Sequence, residues 1–475
     1  MSKNDNYSAN AYKGAVRGLI ESIYGVNLHS NHKGFLVSLQ FFAVVWGVEN
    51  LEGEELFQEI TSQKKLKFTR RTHDFARRLL RGEQPSSEHQ DSWDERKRRI
   101  SDDDQTLKIL AKIFESLTVP DKFSTAKNSQ SNKTHLRPCL GELIHHDYAL
   151  KREPPGYPNA VEGINAERVF YRGGGTLVYE LLRSDPDQNR RGKIEGYLRD
   201  VVNDSGNAVG HLAKLLARAD AAPPQASGTQ DAWEDSKLIP HEHRRETIWS
   251  ENIRSGTLRI LSAEIPQSRK IDYLMHWLPY CLANHMAALA SGVFGNDFSV
   301  IPVDVGPGGG LRRASQRRLS SNRNLIRAAI IKTAGEATKD PLLKRIHQED
   351  FGGYKIKNTL TSMASFYTAT MAYVGALNHN KGIRHYTLDL PLLEAIVYAT
   401  VTINEPKSFD DFCTEILYRQ LYLVINRVAG EDAGFMDEIN AADFEENEAG
   451  LASRLESLGL ITNFSDATRM VGPLQ

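Results

Sequence analysis

Arginine carries the densest chemistry in this chain. An apolar run at residues 300–305 is followed by Gly306, Gly308, Gly309 and Gly310, and then by Arg312, Arg313, Arg317, Arg318, Arg323 and Arg327. A glycine-rich loop that opens a helix exposes backbone N–H groups to an anion. Arginine forks hold phosphate oxygens through paired, charge-assisted hydrogen bonds. Residue type and order together point to phosphate or nucleic-acid contact. The string GPGGG fits neither GxGxxG nor GxxxxGK followed by Ser or Thr, which excludes a dinucleotide fingerprint and a P-loop. With Asp304 as a base, the same residues would also suit an enzyme acting on a phosphorylated small molecule or a nucleic-acid end.

A second basic run spans residues 64–82. Lys64, Lys65, Lys67, Arg70, Arg71, Arg77, Arg78 and Arg81 sit there among almost no acids. On a helix, Arg70, Arg77, Arg78 and Arg81 share part of one face, and Phe75, Leu79 and Leu80 turn inward. Such a face gains affinity for a nucleic-acid backbone by releasing its counterions. The plainer alternative for both runs is a solvated helix face, and Arg96 to Arg99, flanked by acids, takes that reading.

The histidines group as Glu142, His145, His146 and Asp147, then as His241, Glu242 and His243, with His285 apart. Imidazole and carboxylate ligate metals and act as bases. None of these groups has HExxH or another ligand spacing of known meaning. They read as surface histidines, and neither a metal nor a cofactor is expected. Cys139, Cys281 and Cys413 are widely separated and odd in number. That argues against a disulfide framework and a cysteine-rich zinc site, and for a reducing compartment.

The elements that must position these groups are mostly helices. The 475 residues are 40 % hydrophobic and 25 % charged, with a net charge of −1. This is ordinary globular composition, with material for about three domains. It leaves any binding of a polyanion to local clusters. Residues 8–24 place Tyr12, Val16, Leu19, Ile20 and Ile23 at helical spacing, with Gly25 as the stop. Helical patterns recur at 34–47, 54–61, 71–81, 105–117, 174–183, 190–203, 207–219 and 270–290. The most apolar stretch, residues 34–46, is too short for a bilayer and contains Ser38 and Gln40, so it reads as a buried helix. RGGGT at 172–176 reads as a helix start. Residues 124–133 read as a mobile loop, and 221–236, with its prolines and small residues, as a linker.

The expected fold class is mainly α: a multi-domain helical protein with a C-terminal winged helix. Helical domains are expected at 1–123 and 134–220, and a central helical domain with the Gly/Arg-rich segment at 237–384. A winged-helix-like domain follows at 385–475. Strands are expected only near 300–305 and at the C-terminus. The polar N-terminus lacks an apolar signal core, so the expected location is cytoplasmic, with no membrane partner.

The terminal segment carries the clearest order of elements. LDLPLLEAIVYATV (388–401) reads as a buried helix. Ser408 caps FDDFCTEILYRQLYLVI, with Asp411 three residues on. An acidic insertion at 430–448 precedes a third helix, NEAGLASRLESLG, which stops at Gly459. LITNFSDATRMV (460–471) reads as strand, turn at Ser465 and Asp466, and returning strand. The expected core is Leu392, Ile396, Phe412, Ile416, Leu451, Leu455 and Leu458.

Helix, helix, helix, hairpin is the order of a winged helix, and LASRLESLGLI resembles the last helix and first wing strand of that family. The family includes DNA-binding domains and protein-docking modules. Here the presumed recognition helix carries Glu446, Glu448, Arg454 and Glu456, a poor match to a DNA groove, which puts protein contact at least level with DNA reading for this module. Residues 298–327 with the tail SLGLITNFSDATRMV also resemble subunits of bacterial anti-phage defence systems. That resemblance implies a non-catalytic, nucleic-acid-associated subunit of a restriction-like multi-protein system. Its partners would be DNA or another nucleic acid and helicase, nuclease or ATPase subunits of the same system.

Overall fold

Helical spacing of apolar residues produces most of the fold. The protein is seen in a computed structural model that describes residues 9–28, 34–61, 64, 66–69, 90–117, 135–137, 141–146, 148–152, 164–168, 171, 173–203, 210–211, 214–215, 233–235, 246–336, 341–347, 361–378, 383–464 and 468–473. In chain order the elements are α1 (Ala9–Tyr24), α2 (Gly34–Glu49), β1 (Leu66–Phe68), α3 (Gln90–Arg98), α4 (Asp104–Ser116), β2 (Tyr148–Arg152), β3 (Ile164–Arg168), α5 (Gly174–Arg183), α6 (Gln188–Asn203) and β4 (Trp233–Asp235). There follow α7 (Ile248–Ser262), α8 (Gln267–Val293), β5 (Ile301–Pro302), α9 (Arg312–Glu336), α10 (Pro341–His347), α11 (Ser362–Val374) and α12 (Leu390–Thr400). The chain ends with β6 (Lys407–Ser408), α13 (Phe409–Asp411) running on as a π-helix (Phe412–Gln420), β7 (Leu423–Val424), α14 (Arg427–Asp432), α15 (Ala441–Ser457), β8 (Ile461–Asn463) and β9 (Arg469–Val471). The described residues are thus mainly helical, with short strands. Two compact units are formed, one from Met1–Phe35, Ile239–Glu264 and Asp272–Gln475, the other from Leu36–Leu238 and Ile265–Ile271.

In the unit that holds Leu36–Leu238, α2 is apolar on every side and its residues are buried almost throughout, as a core helix must be. Its one amide does structural work. Gln40 Oε1 accepts from the N–H groups of Gly173 (3.0 Å) and Gly175 (3.1 Å), which satisfies donors that a helix start leaves open. Gly173 has φ +104°, a left-handed conformation that glycine adopts without strain. A Cβ on Gly175 would run into the backbone of Val37 and Phe41, so α5 starts where it crosses α2 most closely. In α4, Asp103 caps the first turn through the N–H groups of Gln105 and Thr106, and Leu107, Leu110 and Phe114 are buried at helical spacing.

Three expectations fail in this unit. Residues 54–61 form no helix. Leu66–Phe68, the start of the basic run, is a strand, because Leu66 and Phe68 are buried on either side of half-buried Lys67. It pairs antiparallel with Trp233–Asp235, so the end of the presumed linker is also a strand. A further antiparallel pair, β2 with β3, was not foreseen.

In the other unit, Thr247 caps α7, and Gly256 lets the Trp277 ring of α8 lie 2.5 Å from where a Cβ would stand. Trp249, Trp277, Tyr280 and Tyr367 are among the largest fully buried side chains. β5 runs parallel to β7, with Ile301 opposite Leu423 and Pro302 opposite Val424. In the terminal segment, Ser408 Oγ accepts from Asp411 N, as its position in the sequence predicts. α15 begins at Ala441, within the stretch read as an acidic insertion. Gly459 closes it at φ +70°. The hairpin follows, and β6 joins it to make a three-stranded antiparallel sheet in the order β6-β9-β8. Leu392, Ile396, Phe412, Ile416, Leu451 and Leu455 are buried. Leu458 is only half-buried, and Leu460 is buried beside the hairpin instead.

Candidate anion-binding surface

The six arginines of the Gly/Arg-rich segment all lie on α9. Apolar residues set which face of that helix turns inward: Ala314, Leu319, Ile326, Ala329 and Ile330 are buried. Polar contacts fix its register. Ser315 Oγ accepts from Tyr386 N at 2.6 Å. Asn322 Nδ2 donates to the hydroxyls of Tyr367 (3.2 Å) and Tyr386 (3.0 Å), which are themselves 2.6 Å apart. Burial pushes the Tyr367 hydroxyl up to about 12, so this network stays neutral.

The arginines have different surroundings. Arg312, Arg313, Arg317 and Arg323 are exposed, whereas Arg318 and Arg327 are half-buried. Arg312 Nε lies 3.2 Å from Asp304 Oδ2. Arg317 pairs with Glu438. Burial lowers the Arg318 guanidinium below its ordinary value, and the Tyr386 and Tyr367 hydroxyls counter part of that. Arg313 and Arg323 form no ion pair among the described residues. At 1.5 Å per residue, the exposed arginines from Arg313 to Arg323 span about 15 Å of the helix. Arg317, Arg318 and Glu438 also line a hollow of about 270 Å³ against Phe435.

The glycine loop has a packing role. Asn447 on α15 accepts from Val305 N (2.7 Å) and Gly306 N (2.9 Å) and donates to the carbonyls of Val303 (3.0 Å) and Ile425 (2.9 Å). The Gly308 and Gly310 Cα atoms stand directly against the carboxylates of Glu446 and Asp443. A side chain at Gly310 would collide with the Cβ of Asp443 on α15, whereas one at Gly308 would meet only the movable carboxylate end of Glu446. Gly306 and Gly310 are accounted for by close passage of that helix and Gly309 by its left-handed φ of +72°, and the carboxylates make the loop itself a poor seat for an anion.

Asp304, the candidate base, is 4 % exposed and closes a polar knot. Its Oδ2 meets Arg312 and, at 3.3 Å, Nε2 of His385. Its backbone N–H donates to Tyr386 O at 3.0 Å. Arg454 of α15 donates to Thr387 Oγ1 (3.2 Å) and to Leu388 O. Burial lowers the His385 imidazole below its ordinary value, while the Asp304 carboxylate pulls it back up and Arg312 opposes protonation. Asp304 Oδ1 and His385 Nδ1 are buried without a hydrogen-bond partner among the described residues. Sequence reading missed His385, since a single histidine between Arg384 and Tyr386 has no motif. Its meaning comes from Asp304, which only folding brings near.

No protein-family model, curated protein or solved structure matches the chain. Its own geometry must carry the functional reading.

The second basic run contributes little that is described. Lys64 is exposed and Lys67 is half-buried in β1. Lys65, Arg70, Arg71, Arg77, Arg78 and Arg81 lie outside the described residues, as do Asp147, His241, Glu242, His243 and Cys139. The described histidines of these groups, His145, His146 and His285, are not surface residues. His145 and His146 are each 2 % exposed, and His146 stacks on Phe68 with ring centroids 5.4 Å apart. His285 is buried as well, with Nδ1 2.8 Å from Thr247 Oγ1. These rings serve the core. Among the described residues no group of three or more His, Cys, Asp or Glu is placed to hold a metal. Cys281 and Cys413 are buried thiols raised by burial, a setting that suppresses the reactive thiolate. Among the described residues no helix is long and apolar enough to cross a membrane.

Proposed function

We propose that this protein is a nucleic-acid-associated subunit of a larger assembly, and that it grips phosphates with the exposed ridge of α9. One observation carries the reading: Arg313, Arg317 and Arg323 are exposed along α9, Arg317 and Arg323 towards opposite flanks, and only Arg317 has an acidic partner among the described residues. That partner is no obstacle, because an exposed ion pair is worth at most about 1 kcal/mol and gives way to phosphate. The exposed arginines, about 15 Å from end to end, match the axial rise of about four base pairs.

The terminal segment supports a winged-helix reading through its order of α12, β6, α13, α15 and hairpin, with β7 and α14 inserted before α15, and through the β6-β9-β8 sheet. Its α15 stands where the family's recognition helix would be. Here Asn447, Glu446 and Asp443 face the glycine loop, so α15 is occupied by its own chain. The module therefore serves to dock residues 303–310, and DNA recognition falls to the backbone contacts of α9. Membership in a bacterial anti-phage defence system, beside helicase, nuclease or ATPase subunits, remains part of this proposal on the resemblance of the arginine segment and the tail.

A backbone reader ignores sequence. Two duplexes of unrelated sequence should bind equally well, and Arg313→Ala with Arg317→Ala should weaken both alike. Fluorescence anisotropy with both duplexes tests this. Strong preference for one duplex, or undiminished binding by the folded double variant, contradicts the proposal.

A further inference from the structure

On the other flank of α9 lies a second hollow, of about 430 Å³, walled by α11 and by residues 383–384. We infer that it is a pocket for a nucleoside phosphate. Its volume falls within the range of about 300–1,000 Å³ typical of small-molecule sites.

Charge comes first. Arg323 and Arg384 line it, and neither forms an ion pair among the described residues. Among the described residues no acidic side chain lines it, in contrast to the hollow on the opposite flank, where Glu438 holds Arg317. Two uncompensated guanidinium groups at one cavity repel each other, and a phosphate dianion relieves that repulsion while accepting from both forks. Hydroxyls come second. Ser320 and Ser365 offer donors to phosphate oxygens. Thr368 donates to Ala364 O at 3.0 Å, which leaves its oxygen free to accept from a sugar hydroxyl.

The remaining wall is apolar. Leu319 and Ala369 line the cavity, and Ile383 stands 75 % exposed at its edge. The Arg384 guanidinium plane can stack on a base, and exposed Ile383 gives that base an apolar edge to pack against. The wall is also held in place. Gln316 Nε2 donates to Ile383 O at 3.4 Å, and Asn378 Oδ1 accepts from His385 N at 2.8 Å. A cavity of this size takes one nucleotide and not a duplex. The inference deepens the proposed phosphate face of α9 and rests on it. The ligand is either a free nucleotide or the phosphorylated end of a strand.

Calorimetric titration of the full chain tests it. The ligands are AMP, GMP, CMP, UMP, adenosine, inorganic phosphate, and a short single-stranded DNA carrying either a 5′-phosphate or a 5′-hydroxyl. The proteins are the wild type, the pocket variant Arg323→Ala with Arg384→Ala, and the ridge variant Arg313→Ala with Arg317→Ala. All four side chains are exposed, so the variants should fold, and thermal unfolding checks that they do. A nucleotide should bind more tightly than adenosine or phosphate. The pocket variant should lose roughly ten- to a hundredfold in nucleotide affinity, and the ridge variant should keep it. Preference for the 5′-phosphorylated strand over both the hydroxyl strand and the nucleotides identifies a strand end; tightest binding by a mononucleotide identifies a free nucleotide. Absence of nucleotide binding at millimolar concentration, or unchanged binding by the folded pocket variant, overturns the inference. Phosphate binding as tight as AMP binding overturns its nucleoside part. Failure of the ridge reading shows separately, as unchanged duplex binding by the ridge variant.

Discussion

At the scale of single residues, legibility followed the need for a partner. Arg313 and Arg323 announce themselves because an exposed cation acts without help from distant chain. Asn447 and His385 do not. Asn447 matters because it closes four hydrogen bonds with residues 303–306 and 425, far off in sequence. His385 matters because it meets Asp304 in a buried knot. That knot has a consequence for pH. Burial sets the folded imidazole below its ordinary value of 6.5, although Asp304 counters part of the effect. Between the folded and the ordinary value the unfolded chain binds more protons, so its population grows as the medium acidifies. The contribution is complete above about pH 6.5 and declines as pH falls through that value. Urea unfolding of the wild type and of His385→Gln from about pH 7.5 to about pH 5 should show the wild type losing the more stability over the acid limb. Parallel losses in the two proteins would remove His385 from the account.

Among elements, the long helices were readable and the short strands were not. The boundaries of α1, α2, α4 and α5 lie close to the periodic patterns, because each buries one continuous stripe or its whole circumference. β1 and β4 have three residues each and exist only as a pair. Neither has a period long enough to see. The start of α15 was missed for another reason: its first turns are acidic, and their inward residues, Phe444 and Asn447, are few. Glycine separates packing from propensity at this scale. A Cβ on Gly450 of α15 would lie 2.6 Å from Val305 O and 3.0 Å from Gly306 Cα. Alanine gains about 1 kcal/mol of helix propensity, but overpacking against backbone costs about 1–3 kcal/mol. Gly192 of α6 has open space where its Cβ would point. Urea midpoints should therefore fall for Gly450→Ala and rise for Gly192→Ala. A rise in both would mean that α15 does not press on the loop.

For the whole molecule, the mainly helical class follows from the sequence, while the division of the chain into units does not. One unit gathers Met1–Phe35, Ile239–Glu264 and Asp272–Gln475. No linker composition marks such a grouping, since it depends on contacts between segments far apart in the chain. The candidate site shows the same limit. The arginines could be read directly. That the glycine loop serves α15, and that a hollow with Arg323 and Arg384 opens beside α9, depends on the folded chain. The central claim remains electrostatic: the ridge of α9 neutralises phosphates. Its most direct test is the slope of log binding constant against log salt for a DNA duplex, measured for the wild type and for Arg313→Ala with Arg317→Ala. Each phosphate contact contributes about 0.9 to that slope in B-DNA, so removing two should flatten it by about 1.8. A folded double variant with the wild-type slope and affinity would contradict the account.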